Sequence, residues 1–170
     1  RDRSLDREPG MTCTIGQCRP ESRGSIHIRS NQAGESPHIR PNFLSDQIDR
    51  DAAVAGMQIA RRIIENPAMD EYRAFEMNPG SDINTYDEWL DFARNNGQTT
   101  YHVTGTCKMG QDPMAVVDEE LRVKGIESLR VIDASVMPTV PSGNTNAPTI
   151  MIAEKGADMI RAARKNRSVA

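Results

Sequence analysis

Residues 128–160 read SLRVIDASVMPTVPSGNTNAPTIMIAEKGADMI, and the order in which residue types change along this stretch sets the expected fold class. SLRVIDAS (128–135) is a short β-type run with an aspartate at its end. A loop rich in Pro, Ser, Gly and Asn follows (137–149). A helix is then expected from about Ala147 to Arg164, with Ile150, Ala153, Ala157 and Ile160 as its buried stripe. Pro148 suits a first helical turn, where a missing N–H costs nothing. In open α/β sheets ligands collect beyond the carboxyl ends of strands, which is where Asp133 and Ala134 fall. The unpaired N–H groups at the following helix start favour negative charge. The same pattern also serves a plain strand–loop–helix connection with no ligand.

Upstream, AVVD (115–118) and ELRVKGI (120–126) read as further short strands. Before them stands YHVTGTCKMG (101–110), whose His102 admits four readings. It could be a catalytic base, or a packed side chain. It could be a zinc ligand with Cys107, although H-x4-C supplies only two of the ligands zinc needs. It could pair with Cys107 as a nucleophile, although no third supporting group is marked nearby. Spacing leaves these alternatives open. Cys107 on its own reads as a small buried side chain.

The first hundred residues add helices and a hairpin. Residues 1–20 carry Pro9, Gly10, Gly16 and Pro20 and read as a mobile leading loop. SRGSIHIRS (22–30) alternates Ile26 and Ile28 with polar neighbours, as a half-buried strand does. HIRPNF (38–43) reads as its partner, limited by Pro41 to an edge or an end. Residues 45–67 give the clearest helix: Ile48, Ala52, Ala55, Ile59 and Ile63 share one face, Ser45 or Asp46 can cap its start, and Asn66-Pro67 stops it. A second helix starts near Thr85, where Thr85-x-x-Glu88 is a capping-box pattern. Trp89, Leu90 and Phe92 supply its bulk, and Asn95-Asn96-Gly97 ends it.

Composition narrows the function classes. A net charge of −3 with no dense Lys/Arg stripe argues against nucleic acid. No apolar run approaches the roughly 20 residues of a membrane span. Three cysteines without C-x-x-C spacing argue against a disulfide framework and a structural zinc site; a reducing, cytoplasmic setting is expected. The chain opens on Arg1 and has its first methionine at Met11, which reads as a piece of a longer protein.

YHVTGTCKMG (101–110) together with AVVDEELRVKGIESLRVIDASVMPTVPSGNTNAPTIMIAEKGADMI (115–160) resembles the C-terminal signature of the glucose–methanol–choline oxidoreductases, and among them the choline dehydrogenase-like bacterial members. RPESRGSIHIRS and the helix at 45–65 resemble the same region, so the likeness covers nearly the whole chain. The resemblance implies an FAD-dependent oxidation of a small alcohol, with hydride passing to the flavin. It implies that His102 is the base and Asn144 its partner at the substrate oxygen. Asp133 and Ala134 would lie beside the cofactor's phosphate and ribose, with Asn144 and Asn146 at the flavin. An imidazole, with an ordinary pKa of about 6.5, starts neutral near pH 7. A carboxamide hydrogen-bonds without competing for the proton. Val103 stands where the family pattern commonly has proline.

The fold class expected is α+β: residues 1–112 as part of a substrate-binding domain, an antiparallel or mixed sheet with helices, and residues 113–170 as the closing strand, loop and helix of a Rossmann-like FAD domain. G-x-G-x-x-G, which cradles a pyrophosphate, is absent from the sequence. The missing N-terminal FAD-binding part of the same protein is therefore the expected partner. Two rival readings are a hydroxynitrile lyase-type relative that binds FAD without net redox, and a stand-alone binding domain. The 170-residue chain alone is expected to retain no FAD and to be inactive, and to leave a strand edge and the inner face of its last helix exposed; a purified chain that came out yellow and turned over choline-type alcohols would contradict this.

Overall fold

The computed structural model describes residues 9–167. Part of the expected leading loop, residues 1–8, lies outside the described residues; residues 9–20 are irregular, as expected. The elements are β1 (Ser25–His27), β2 (His38–Arg40), α1 (Gln47–Ile64), α2 (Tyr86–Asn96) and α3 (Asn146–Arg167), with short 3₁₀ turns at Pro67–Met69 and Ala134–Val136. This mixture of helices with a small antiparallel sheet is the α+β class expected. The chain forms two compact units. One takes the described residues up to Gln17 with Asp46–Gln98; the other takes Cys18–Ser45 and the chain from Thr99 onward.

The first unit is built on α1 and α2, both closed by side chains that the sequence marks. Asp46 caps α1, its carboxylate accepting the Ile48 N–H at 2.9 Å. The Asn66 side chain accepts the Ala68 N–H at 3.0 Å and, with Pro67, turns the chain away from α1. At α2 the capping box is complete: the Thr85 hydroxyl accepts the Glu88 N–H at 3.4 Å and the Glu88 carboxylate accepts the Thr85 N–H at 2.8 Å. Trp89 and Leu90 are buried.

The buried side of α1 is not the expected one. Asp49, Val54 and Ala60 are inside, whereas Ile48, Ile59 and Ile63 are 60%, 47% and 57% exposed. Arg61 supplies the reason. Its guanidinium lies 4.1 Å over the Trp89 ring, and donates to the Ile83 carbonyl at 2.6 Å, the Gly80 carbonyl at 3.0 Å and the Glu76 carboxylate at 2.9 Å. A planar cation with this many fixed acceptors outweighs an aliphatic stripe in choosing which face turns inward.

In the second unit β1 and β2 pair antiparallel, with Ile26 opposite Ile39 and His27 opposite His38. A Cβ at Gly24 would collide with the Arg40 and Pro41 carbonyls, so glycine permits the close approach that starts the ladder. All six strand residues are exposed. The half-buried face expected for Ile26 and Ile28 is therefore corrected: two strands alone have no third layer to lie against.

The expected strands at 115–118, 120–126 and 128–135 are also corrected. Here the chain makes only isolated bridges, Met109 to Val117, Val117 to Val123 and Arg122 to Arg130. The run at 128–135 is broken where the Asp133 carboxylate accepts the Ser135 N–H at 2.8 Å and the Ser135 hydroxyl at 2.5 Å, which folds the backbone into the 3₁₀ turn. The apolar residues of these runs still form the core: Val117, Leu121, Val136, Met137 and Ile152 are buried together, with Val123, Val131, Ile132 and Met159 packed around them.

α3 covers this core with Ile152 and Gly156. The stripe expected from Ile150, Ala153, Ala157 and Ile160 is displaced: Ile150 is 55% and Ile160 39% exposed, Ala153 is exposed and Ala157 half-buried. Gly156 explains the shift. A Cβ there would stand 2.6 Å from Ile132 Cγ2, so the bare glycine is what lets Ile132 lie on the helix. Ile150, Met151 and Ile160 are exposed, but Ile152 and Gly156 are buried against the core, so the inner face of the helix is not left exposed as expected.

Replacing Arg61 by leucine leaves Glu76 and two carbonyls without their donor, and is expected to destabilise the protein by about 3 kcal/mol in urea denaturation. Arg61→Lys should recover little, because a point ammonium cannot span three acceptors over a ring. Backbone N–H donation from Thr85, then from Asn84, holds the Glu88 carboxyl below its ordinary 4.5. A depressed folded pKa means this support is complete above pH 4.5 and fades as pH falls through the lower folded value. Melting temperatures of Glu88→Gln across acid pH should fall less steeply than those of the parent.

Candidate active site

The segment 101–110 is laced to the segment after the core strand-like run. Gly105 and Cys107 both donate their N–H to the Ser135 carbonyl, at 3.1 and 3.0 Å, and Met109 donates to the Val136 carbonyl at 2.8 Å. Gly105 sits at φ +89°, a conformation that side chains resist, and this turn carries the chain into that register. Cys107 is half-buried and its thiol is free.

The lacing carries His102 to the start of α3. Its Nδ1 lies 3.1 Å from the Thr145 hydroxyl oxygen, and the Thr145 N–H points to the same nitrogen at 3.4 Å. His102 is half-buried and Thr145 is only 7% exposed. The Thr145 carbonyl accepts the Thr149 N–H at 3.0 Å and the Thr149 hydroxyl at 2.6 Å, so the same residue opens the helix. Two residues beside this contact hold left-handed backbone without being glycine: Tyr101 at φ 63° and Ser142 at φ 57°. Ser142 is tied further, since Arg19 Nε donates to its hydroxyl at 2.5 Å.

Of the residues singled out in the sequence, His102 and Asn144 belong to segments that meet, with the contact made by Asn144's neighbour Thr145. Asn144 and Asn146 are both exposed, on either side of Thr145. Asp133 is exposed, with one carboxylate oxygen engaged by Ser135; the half-buried Ala134 begins the turn whose carbonyl at Ser135 anchors Gly105 and Cys107. Thr145 was missed. A hydroxyl residue just before a helix start is a capping signal, but nothing in its spacing points to a histidine 43 positions away. Among the described residues no group of three or more His, Cys, Asp or Glu side chains is arranged to hold a metal ion, and no helix is long and apolar enough to cross a membrane.

A GMC oxidoreductase family model matches residues 20–153. The chain is 46% identical over 155 residues to the oxygen-dependent choline dehydrogenase of Escherichia coli O45:K1 (strain S88 / ExPEC), covering 91% of this chain and 28% of that protein. In structure it resembles pyridoxine 4-oxidase from Mesorbium loti, at a TM-score of 0.80 and 35% identity, covering 85% of this chain and 28% of the other. It also resembles an FAD-dependent oxidoreductase from Chaetomium thermophilum, at a TM-score of 0.80 and 29% identity, covering 87% and 26%. The helices, small sheet and loop contacts thus have the architecture of a flavoenzyme's C-terminal region. The chain belongs to the GMC oxidoreductase family, and spans about 28% of the length of the curated relatives it matches.

The residues at this end fit a flavin. Asn144 and Asn146 present carboxamides to solvent at the N-terminus of a 22-residue helix, where unpaired N–H groups favour an electron-rich ring edge. The half-buried His102 imidazole meets Thr145, the residue between them.

Proposed function

We propose that this chain is the C-terminal part of an FAD-dependent alcohol dehydrogenase or oxidase of the choline dehydrogenase kind. It would take a choline-like or other primary alcohol as substrate, with His102 as base. The observation that carries this reading is the contact of His102 with Thr145, which unites the two halves of the family signature at the mouth of α3. Residues 1–112 would belong to the substrate-binding portion and residues 113–170 would complete the FAD-binding domain, whose phosphate cradle would come from an N-terminal part of the same protein. The length of the relatives supports such a part. Three cysteines without C-x-x-C spacing suit a reducing compartment such as the cytoplasm.

FAD, when bound, supplies the acceptor for a hydride leaving the alcohol carbon. The chain's own residues handle the proton and the oxygen. With Nδ1 of His102 turned to Thr145, Nε2 is the nitrogen left to take the hydroxyl proton, so that the carbon–oxygen bond gains double-bond character without a free alkoxide. The Asn144 amide would donate to the same oxygen and fix its direction, and Asn146 with the start of α3 would stabilise negative charge gained by the ring. Asp133 and Ala134 would lie along the ribose and phosphate.

His102→Ala in the full-length flavoprotein is expected to lower anaerobic flavin reduction by an alcohol on the order of 10²–10⁴-fold, with FAD content unchanged. Stopped-flow bleaching of the flavin absorbance reads this directly, and reduction at the parent rate would sink the assignment of the base.

A further inference from the structure

We propose, resting on the reading of Asn144 as donor to the substrate oxygen, that Arg19 is a positioning residue that holds Asn144 in place through Ser142. The loop that leads from the 3₁₀ turn at Ala134–Val136 into α3 carries Asn144 near its end. Pro138 and Pro141 have no N–H to give, and residues 138–144 take part in no backbone–backbone hydrogen bond. Among the described residues, the hydrogen bond that reaches this stretch comes from Arg19, whose Nε donates to the Ser142 hydroxyl at 2.5 Å across 123 positions of chain. On the other side of Asn144, Thr145 is fixed by its contacts with His102 and by the Thr149 bonds to its carbonyl. Asn144 therefore stands in a short span with one anchor at each end, and Arg19 supplies the first.

The backbone at the first anchor gives the clamp its purpose. Ser142 holds φ 57°, a left-handed conformation that a serine keeps only while its surroundings impose it. A hydrogen bond from a charged donor is stronger than one from a neutral group, and here it grips the strained residue itself. Without it Ser142 is free to return to an ordinary φ, and Gly143, which follows, offers little resistance to the swing. Thr145 keeps its own bonds, so the start of α3 and the imidazole stay where they are while Asn144 moves between them. A displaced carboxamide still lets the alcohol bind. It fails at the moment charge gathers on the oxygen, so the loss falls on the chemical step. Arg19 is exposed, and replacing it empties no core.

The test uses the FAD-loaded full-length protein and anaerobic stopped-flow reduction of its flavin by a primary alcohol that the parent oxidises. Arg19→Met keeps the aliphatic stem and removes the donor. It should lower the reduction rate at saturating alcohol about tenfold, with alcohol affinity, FAD content and melting temperature kept. Ser142→Ala retains the Cβ, and with it the strain, but removes the hydroxyl; it should show the same loss. The double variant should be no slower than either single one, and in an Asn144→Ala background Arg19→Met should cost nothing more. Either single variant at the parent rate overturns the inference. Losses that multiply in the double variant also overturn it, since the guanidinium would then act without Ser142. So does an Arg19→Met loss that persists once Asn144 is gone. If Arg19→Met sheds its FAD, Ser142→Ala, alone and combined with Asn144→Ala, decides. An Asn144→Ala protein that reduces flavin at the parent rate sinks the reading beneath, whereas a slow Asn144→Ala beside a parent-rate Arg19→Met sinks only this inference.

Discussion

The second unit depends on a single backbone oxygen. The Ser135 carbonyl receives two N–H groups, from Gly105 and Cys107, and the adjoining Val136 carbonyl receives a third from Met109. These bonds bind a segment that carries a histidine to one that leads into α3. The side chain of Val136 meanwhile sits fully buried with Val117 in the core, so the hydrogen-bonded seam is anchored in apolar packing. Local strain at Tyr101 and Ser142 is sustained because both flanking segments are already fixed. Without the seam, nothing described here would hold His102 beside Thr145.

The first unit uses a different device for the same purpose. Arg61 gathers Gly80, Ile83, Glu76 and Trp89 around one planar cation. The irregular stretch between α1 and α2 is thereby given polar partners as well as contacts. Buried ionic groups are costly unless well satisfied, and here three acceptors serve Nη1 and Nη2 and an aromatic face covers the guanidinium, while Nε is buried without a hydrogen-bond partner.

Much of this was legible in the sequence, and the parts that were not share a cause. Helix ends were readable because their signals are local: Asp46, Asn66, Thr85 with Glu88, and Gly97 each act within about one turn. The hairpin registered for the same reason. The faces of α1 and α3 were misread because distant residues set them, Trp89 and Glu76 for one and Ile132 against Gly156 for the other. The strands at 115–135 were misread because β-type composition marks residues that pack, while a ladder needs successive paired residues, and here the segments meet only in isolated bridges. At the site, motif likeness pointed to His102 and Asn144, whereas the hydroxyl that touches the imidazole belongs to Thr145, between two asparagines, and no local signal links it to a histidine 43 positions away.

Thr145 joins two roles that are usually separate. Its carbonyl accepts the first helical bond of α3 and its hydroxyl meets the ring. The axial position of a 22-residue helix and the attitude of one imidazole are therefore a single mechanical coordinate. The depth of that helix is gauged a few turns along, where Ile132 rests on the bare backbone of Gly156. A methyl group added at that resting point would lift the rod, and the displacement would arrive at its far end as a tilted imidazole.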